Sequence, residues 1–267
     1  MKAETTTRTA PDGTELFTRL TTPDTPRATV VLVHGIAEHG GRYDHVARQY
    51  AEAGLAMRVT DLRGFGRSAG TRAFVGAFDD YADDLIDDVA AARSAGLPVI
   101  LHGHSMGGLI ALRYALSNRP APDLMVVSGP ALGAGVPAVK RGAAHVLSRL
   151  APRFSQPNKL NGEQLAHDPS VGEAYFADEL VHARTTARLG SELFKAMKST
   201  AASLPSLDVP TLVLHGAADT IVPPASSAPL GELPGVERVL MPDLRHEVHN
   251  EGPEAIDTAI GWIEERL

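Results

Sequence analysis

Apolar and polar positions follow two different patterns along this chain, short apolar runs and segments with helical spacing. Short segments that predict strands occur at 28–33, 55–59, 99–101, 124–127, 211–214 and 236–241, and most of them are largely apolar, which is typical of strands buried on both faces. Between them, the pattern predicts helices at 44–53, 81–92, 109–116, near 226 and at 253–267. Two threonine-rich segments, 4–9 and 15–21, flank the turn residues Pro11-Asp12-Gly13 and predict a β-hairpin. Strands that alternate with helices predict an α/β fold with a mainly parallel sheet covered on both faces.

The alternation stops between residues 129 and 205. This stretch has a helical pattern with glycine and proline punctuation and no convincing strand. Because it lies between two buried strands, we interpret it as an insertion. The sequence therefore predicts a core built from 1–128 and 206–267, with 129–205 as a helical cap.

One predicted helix carries an unusual acidic run. Within 81–92, Leu85, Val89 and Ala92 share one face, and the aspartates lie mostly opposite. We expect these aspartates to form a solvated face rather than a metal site. They are Asp83, Asp84, Asp87 and Asp88.

Composition excludes several classes of function. A chain of 267 residues is near the upper size of one core, and its net charge of −7 argues against nucleic acid as the main partner. There is no cysteine, hence no disulfide, thiolate metal site or thiol nucleophile. The polar first eight residues lack a signal-peptide pattern, and no apolar run reaches the roughly 20 residues of a membrane span. We expect a cytoplasmic protein; nothing in the sequence indicates its oligomeric state.

The segment Gly103-His104-Ser105-Met106-Gly107 fits the pattern G-x-S-x-G. It follows the strand at 99–101 and precedes the helix at 109–116, the context in which this pattern forms a sharp turn that presents a nucleophilic serine. A Cβ at either glycine would clash, because strand and helix approach closely at such a turn. The sequence therefore predicts Ser105 as a nucleophile at a helix N-terminus, where developing negative charge is favoured.

A serine nucleophile needs a base and a residue that orients it. In open α/β sheets such partners follow later strands, at their carboxyl ends. Asp219 comes after the strand at 211–214 and His246 after the strand at 236–241, which predicts the triad Ser105, Asp219 and His246. His249 is the alternative base, but we expect it at the start of the last helix.

An oxyanion hole needs two backbone N–H groups, one of them from the residue after the nucleophile. Met106 supplies that one, and Ile36, in the loop after the first buried strand, is the predicted second donor. Four histidines near strand ends raise the alternative of a metal site, but no ligand spacing supports it. We expect them to hydrogen-bond loop backbone, and we predict no metal and no cofactor. They are His34, His102, His104 and His215.

Several motifs together resemble one family, the α/β-hydrolases of the monoacylglycerol lipase and lysophospholipase group. The similar segments are His34–His39 with Arg42-Tyr43, Asp61–Ser68, Gly103–Gly108, His215–Pro223, His246–Glu251 and, in the cap, His167–Val171 with Leu180–His182. The resemblance implies the α/β-hydrolase fold, the site residues predicted above, and a cap that acts as a lid. It also implies a lipid ester substrate with a single acyl chain, such as a monoacylglycerol. A short-chain carboxylesterase, a lysophospholipase and a non-catalytic binding protein are the alternatives.

The cap has a charge pattern of its own. No acidic residue occurs between Asp123 and Glu163, whereas five basic residues do. Around 139–150 the pattern predicts a basic amphipathic helix, with Val139, Ala143, Val146, Leu147 and Leu150 on one face and Lys140, Arg141 and Arg149 mostly on the others. We expect the apolar face to cover the core and to line an acyl tunnel. Transient contact of this helix with a membrane surface is the second interpretation.

Overall fold

An eight-stranded sheet forms the centre of the molecule in the computed structural model. The structure describes residues 1–133 and 138–267. In the helix that follows this gap, it describes the side chains of residue 142 and of residues 144 onward. The strands are β1 (Lys2–Thr9), β2 (Glu15–Thr22), β3 (Ala28–Val33), β4 (Leu55–Thr60), β5 (Val99–His104), β6 (Leu124–Ser128), β9 (Thr211–Gly216) and β10 (Val236–Met241). The helices on this sheet are α1 (Asp44–Glu52), α2 (Asp79–Arg93), α3 (Met106–Ala115) and α8 (Glu254–Glu264). Between β6 and β9 lie α4 (Ala138–Leu150), β7 (Ser155–Pro157), α5 (Gly162–Leu165), α6 (Pro169–Ala177), β8 (Arg184–Thr186) and α7 (Ala187–Ser203).

The strand order is β1-β2-β4-β3-β5-β6-β9-β10. The six neighbouring strands β4, β3, β5, β6, β9 and β10 are parallel to one another. The antiparallel hairpin β1–β2 joins this sheet through β2, which pairs antiparallel with β4. One apolar layer packs under α2 and α3 and the other under α1 and α8, so β3, β5, β6 and β9 are buried on both faces. This explains why these strands are continuous apolar runs. The predicted α/β fold, the hairpin and the mainly parallel sheet are confirmed.

The prediction that residues 129–205 contain no strand was wrong. β7 and β8 pair antiparallel, with Ser155 opposite Thr186. Each has only three residues, which is too short for an alternating pattern to show in the sequence. We keep the name cap for 129–205, whose boundaries remain a prediction and which includes residues outside those described.

The apolar face predicted for α4 is only partly buried. Val146 is 57% and Leu150 79% exposed, whereas Leu147 is half-buried. α4 packs mainly on α7 rather than on the sheet, so the helix has one narrow contact surface and its remaining apolar side chains lie outside it. The side chains of Val139, Lys140, Arg141 and Ala143 lie outside the described residues.

The aspartates of α2 do not all form a solvated face. Asp84 and Asp88 are 4% and 1% exposed, and both are held by arginines. Both Asp84 oxygens lie 2.7 Å from the Arg63 guanidinium, and Asp88 accepts from Arg58 Nε at 2.7 Å. These two aspartates face the sheet and the loop after β4, where the arginines compensate their burial. Only Asp83 and Asp87, each more than half exposed, fit the prediction.

Two helical predictions near the C-terminus also differ from the structure. The segment Pro224–Glu232 is a 3₁₀ helix, because its prolines lack the N–H groups that an α-helix needs. His249 lies in a separate 3₁₀ turn, Val248–Asn250, and not in α8, because Gly252, at φ 141°, and Pro253 separate the two. In the described part of the chain, no helix combines the length and apolar character needed to cross a bilayer.

Candidate active site

Ser105 lies at the turn between β5 and α3 in a strained backbone conformation. Its φ is 53° and its ψ −117°, in a region that residues other than glycine rarely adopt. A Cβ on Gly103 would lie 2.3 Å from the carbonyl oxygen of Gly107, and one on Gly107 would lie 2.0 Å from that of Val33. The predicted clash at both glycines is confirmed. The turn thus holds the Ser105 hydroxyl above the carboxyl end of the sheet.

The structure brings Ser105, His246 and Asp219 into one hydrogen-bonded chain. Ser105 Oγ lies 2.9 Å from His246 Nε2, and His246 Nδ1 lies 2.7 Å from Asp219 Oδ2. All three are at most 5% exposed. Gly129 approaches this chain closely, since a Cβ there would lie 3.3 Å from His246 Nδ1 and 3.4 Å from Asp219 Oδ2.

Asp219 is held in its ionised form by its surroundings. Burial raises the pKa of its carboxyl, but hydrogen bonds from His215 and His246 outweigh this, and the pKa lies well below its ordinary value. The backbone N–H groups of Ile221 and Val222 donate to Oδ1 at 2.8 and 2.9 Å. An ionised, immobilised carboxylate at this position can orient an imidazole and balance its positive charge.

The loop after β3 faces Ser105. Within the described residues, neither the N–H of Ile36 nor that of Met106 donates to another protein group. Glu38 folds back under the loop, and its Oε1 accepts from the N–H of Gly35 at 2.5 Å and from the hydroxyl of Tyr43 at 2.6 Å. The carboxylate therefore fixes the backbone immediately before Ile36.

Arg42 joins the two loops that flank Ser105. Its Nη1 donates to Glu38 Oε2 at 2.5 Å, and its two Nη atoms donate to the two Glu247 carboxylate oxygens at 2.7 Å. Burial raises the pKa of Glu38, but the charge of Arg42, the charge of His34 and the hydrogen bonds to the carboxylate together outweigh it, so the pKa is lowered overall. Because Glu247 follows His246 directly, the clamp links the loop after β3 to His246. No local sequence pattern indicates this clamp, although Glu38 and Arg42 belong to a motif on which the family resemblance rests.

The cap contacts the same loop. His39 Nε2 lies 2.8 Å from Asp178 Oδ2, and the N–H of His182 donates to the carbonyl of Ala37 at 2.8 Å. Ala37 has a φ of 70°, a left-handed conformation that these contacts help to hold. A movement of residues 178–182 would therefore be transmitted to the loop beside Ser105.

Two neighbouring cavities lie close to Ser105. The smaller has about 40 Å³ and is lined by Gly35, Ile36, Glu38, His104, Ser105, Leu160, Leu165, Tyr175, Ile221, His246 and Glu247. The larger has about 720 Å³ and is lined by Ile36, Ala144, Leu147, Gln156, Pro157, Asn158, Lys159, Leu160, Thr185, Thr186, Ala187, Gly190, Leu193, Phe194 and Met197. Ile36 and Leu160 line both cavities and therefore form the wall between them.

The histidines near the strand ends have individual partners. His34 bonds backbone groups, as expected, and its Nε2 accepts from the N–H of Leu62. For His215 the expectation holds in part, since its Nε2 bonds the carbonyl of Val222 and its Nδ1 bonds the hydroxyl of Ser227. The expectation was wrong for His102 and His104, which bond side-chain hydroxyls of β-strand and helix residues instead. Within the described residues, no group of three His, Cys, Asp or Glu side chains is arranged to hold a metal ion.

His249, the alternative base, lies behind the site. Its ring stacks on Tyr43 with centroids 4.7 Å apart and meets the edge of His104 at 4.8 Å. Burial lowers its pKa well below the ordinary value, and it contacts neither Ser105 nor Asp219 by a hydrogen bond within the described residues. The geometry therefore favours His246 as the partner of Ser105.

Comparison with known proteins gives a consistent result. The model of the family described as serine aminopeptidase, S33, matches residues 24–253. A monoacylglycerol lipase of Mycolicibacterium smegmatis is 38% identical, covering 96% of this chain and 95% of that protein. The phospholipase YtpA of Bacillus subtilis is 31% identical over 74% of this chain and 78% of its own. The crystal structure of Paleococcus ferrophilus monoacylglycerol lipase superposes with a TM-score of 0.84 at 28% identity and full coverage of both chains.

The match of the family model spans most of the chain, and the superposition spans all of it. The resemblance drawn from the sequence motifs is therefore confirmed, as is the expectation of an enzyme. This chain belongs to the serine aminopeptidase S33 family of α/β-hydrolases, and it is a hydrolase similar to monoacylglycerol lipases.

Proposed function

We propose that this protein hydrolyses monoacylglycerols to a fatty acid and glycerol through an acyl-enzyme on Ser105. The observation that carries the proposal is the hydrogen-bonded chain from Ser105 to Asp219 at the junction of a large and a small cavity. The names of the similar proteins in Mycolicibacterium smegmatis and Paleococcus ferrophilus support the same substrate. No cofactor enters the mechanism.

In the proposed mechanism, Ser105 Oγ attacks the ester carbonyl while His246 accepts its proton. Asp219 orients His246 and balances the charge of the imidazolium that forms. The N–H groups of Ile36 and Met106 donate to the oxyanion, an interaction whose loss at one donor typically costs about 10²–10³ in rate. His246 then protonates the leaving alcohol, and a water molecule repeats the sequence on the acyl-enzyme.

The small cavity is the proposed site of the alcohol. It is lined by Glu38 and Glu247, whose carboxylates are held by Arg42, and by Tyr175, whose hydroxyl is buried and has no hydrogen-bond partner within the described residues. An alcohol hydroxyl there would satisfy the Tyr175 group, and unsatisfied buried groups are costly. A cavity of about 40 Å³ holds little more than one water molecule. Binding of glycerol therefore requires Leu160 and Leu165 to move with the cap.

The large cavity is the proposed site of the acyl chain. Much of its wall is apolar, formed by side chains such as Leu147, Leu193, Phe194 and Met197. Its volume of about 720 Å³ lies in the range of ligand pockets, and burying each CH₂ of an acyl chain contributes about 0.8 kcal/mol. Ile36 lines both this cavity and the small one at Ser105, which supports a position of the ester at their junction.

The cap is also the proposed contact with a lipid surface. Val146, Leu150 and Phe154 are 57%, 79% and 52% exposed, and Arg149 and Arg153 are exposed in the same segment. Exposed apolar side chains beside basic ones suit an anionic interface. Leu150→Ser should lower binding to anionic vesicles at low salt, whereas Leu240→Ser, at an exposed leucine on β10, should not. Equal binding of both variants and the wild type would reject this contact.

The decisive experiment compares hydrolysis of 1-dodecanoylglycerol, p-nitrophenyl butyrate, dodecanoyl lysophosphatidylcholine and tridodecanoylglycerol, with Ser105→Ala as the inactive control. We expect the highest kcat/KM on the monoacylglycerol. Faster turnover of the lysophospholipid would favour a lysophospholipase, the second candidate, which the similar Bacillus subtilis phospholipase supports. Turnover of the butyrate with little on the monoacylglycerol would leave a short-chain esterase.

A further inference from the structure

The wall of the large cavity is polar on one side. Gln156, Asn158, Lys159 and Thr185, all from β7, β8 and the turn after β7, line it there. None of them lines the small cavity at Ser105. An acyl chain that enters past Ile36 and Leu160 would therefore contact both apolar side chains and these polar residues within the large cavity.

Asn158 holds a fixed polar group in this wall. Its backbone N–H donates to the carbonyl of Ala183 at 3.1 Å, and its side-chain oxygen accepts from the hydroxyl of Thr185. The amide nitrogen is buried and has no partner within the described residues. Whichever way the amide is oriented, one of its polar atoms lacks a hydrogen bond, which is unfavourable unless a ligand supplies it.

Lys159 adds a positive charge beside this amide. Among the described residues that line the cavity, it alone has an ionisable side chain. Its backbone has a φ of 55°, a conformation costly for a lysine. Lys159 is exposed, and no acidic residue occurs from 124 to 162 in the sequence, although Glu163 follows Lys159 by four residues. A hydrocarbon chain uses neither the charge nor the amide.

We propose that the large cavity takes acyl chains that carry an oxygen function remote from the ester, and a carboxylate in preference to a hydroxyl. The Asn158 amide would donate to either group, and Lys159 would pair with the carboxylate. The inference rests on the proposed function for the reaction itself and extends it to the class of acyl chain. The substrate class is then the ester of an ω-carboxy or ω-hydroxy fatty acid.

The test compares kcat/KM for three acyl chains of equal length: dodecanoyl, 12-hydroxydodecanoyl and 11-carboxyundecanoyl. Each is presented both as its glycerol ester and as its p-nitrophenyl ester. We expect the wild type to hydrolyse the carboxylated chain at least as efficiently as the plain chain, although an apolar cavity would reject a charge. A plain chain preferred about tenfold or more with both alcohols would overturn the proposal.

Two substitutions separate the roles of the polar residues. Lys159→Met should lower the ratio of carboxylated to plain chain about tenfold and leave the ratio of hydroxylated to plain chain unchanged. Asn158→Asp keeps the shape and the acceptor for Thr185 but removes the donor, so it should lower both ratios. Lys198→Met, at an exposed lysine of α7 that does not line the cavity, is the matched control. If the Lys159 and Asn158 variants show the same kcat/KM ratios as the wild type, the proposal is also overturned.

The two alcohols keep this inference separable from the proposed function. If the glycerol esters are not hydrolysed but the p-nitrophenyl esters are, the recognition of glycerol fails and the acyl preference is still measured. If the glycerol esters are hydrolysed with a preference for the plain chain, the proposed function stands and the polar wall has no role in selecting substrates.

Discussion

Gly129 offers a direct test of the site geometry. It follows β6, has a φ of 49°, and lies where a Cβ would be 3.3 Å from His246 Nδ1 and 3.4 Å from Asp219 Oδ2. In Gly129→Ala, the methyl group can fit only if the imidazole or the carboxylate shifts by a few tenths of an ångström. Since a misplacement of about 1 Å can cost 10²-fold, we expect kcat to fall roughly tenfold. Alanine at a positive φ also costs about 1–2 kcal/mol of stability, or a few degrees in Tm.

Gly13→Ala is the matched control. Gly13 also has a positive φ, 88°, but no heavy atom lies within 4 Å of a Cβ placed there. The two variants should lose similar stability, measured as Tm, whereas only Gly129→Ala should lose kcat on p-nitrophenyl butyrate. If Gly129→Ala keeps full kcat while it loses the same Tm as Gly13→Ala, the space around His246 does not limit the reaction and the argument from packing fails.

Three further predictions concern buried charge. Burial lowers the pKa of His102 to about 4, so between pH 6.5 and 4 the unfolded chain binds a proton that the folded chain does not, and stability falls as the pH falls through this window. The free energy of unfolding, measured with denaturant, should therefore drop between pH 7 and pH 5 by about 2 kcal/mol less in His102→Gln than in the wild type. Arg42→Met leaves two buried carboxylates unpaired and should cost about 3–5 kcal/mol together with most of the activity, whereas Arg27→Met, which breaks a half-exposed pair, should cost under about 1 kcal/mol. Asp88→Ala should cost about 3 kcal/mol in urea unfolding and Asp83→Ala under about 1; similar losses in the two would contradict the assigned burial.

The core fold and the residues around Ser105 could be predicted because they follow local rules. A buried strand appears as an apolar run, and in a parallel sheet the residues after consecutive strands meet at one edge. Ser105, Asp219 and His246 each follow such a strand, so three separate segments could be combined without knowing any distance.

What the sequence did not predict depends on contacts between distant segments. Arg42 and Glu247 are 205 residues apart, and no local pattern pairs them. Asp84 and Asp88 occupy helix positions typical of a solvated face, and only the arginines of the neighbouring strands and loop make their burial possible. In the cap, β7 and β8 are three residues each, and the exposure of Leu150 depends on α4 packing against α7 rather than on its own amphipathic pattern.

The clamp at Arg42 has a consequence for the order in which the site assembles. Its first carboxylate, Glu38, lies before α1, whereas His246 and Glu247 follow β10. Before the segment after β10 has docked, Arg42 has only one of its two partners. Contacts of such long sequence separation form late in folding. Docking of the segment after β10 therefore completes the clamp and brings His246 to Ser105 in the same step.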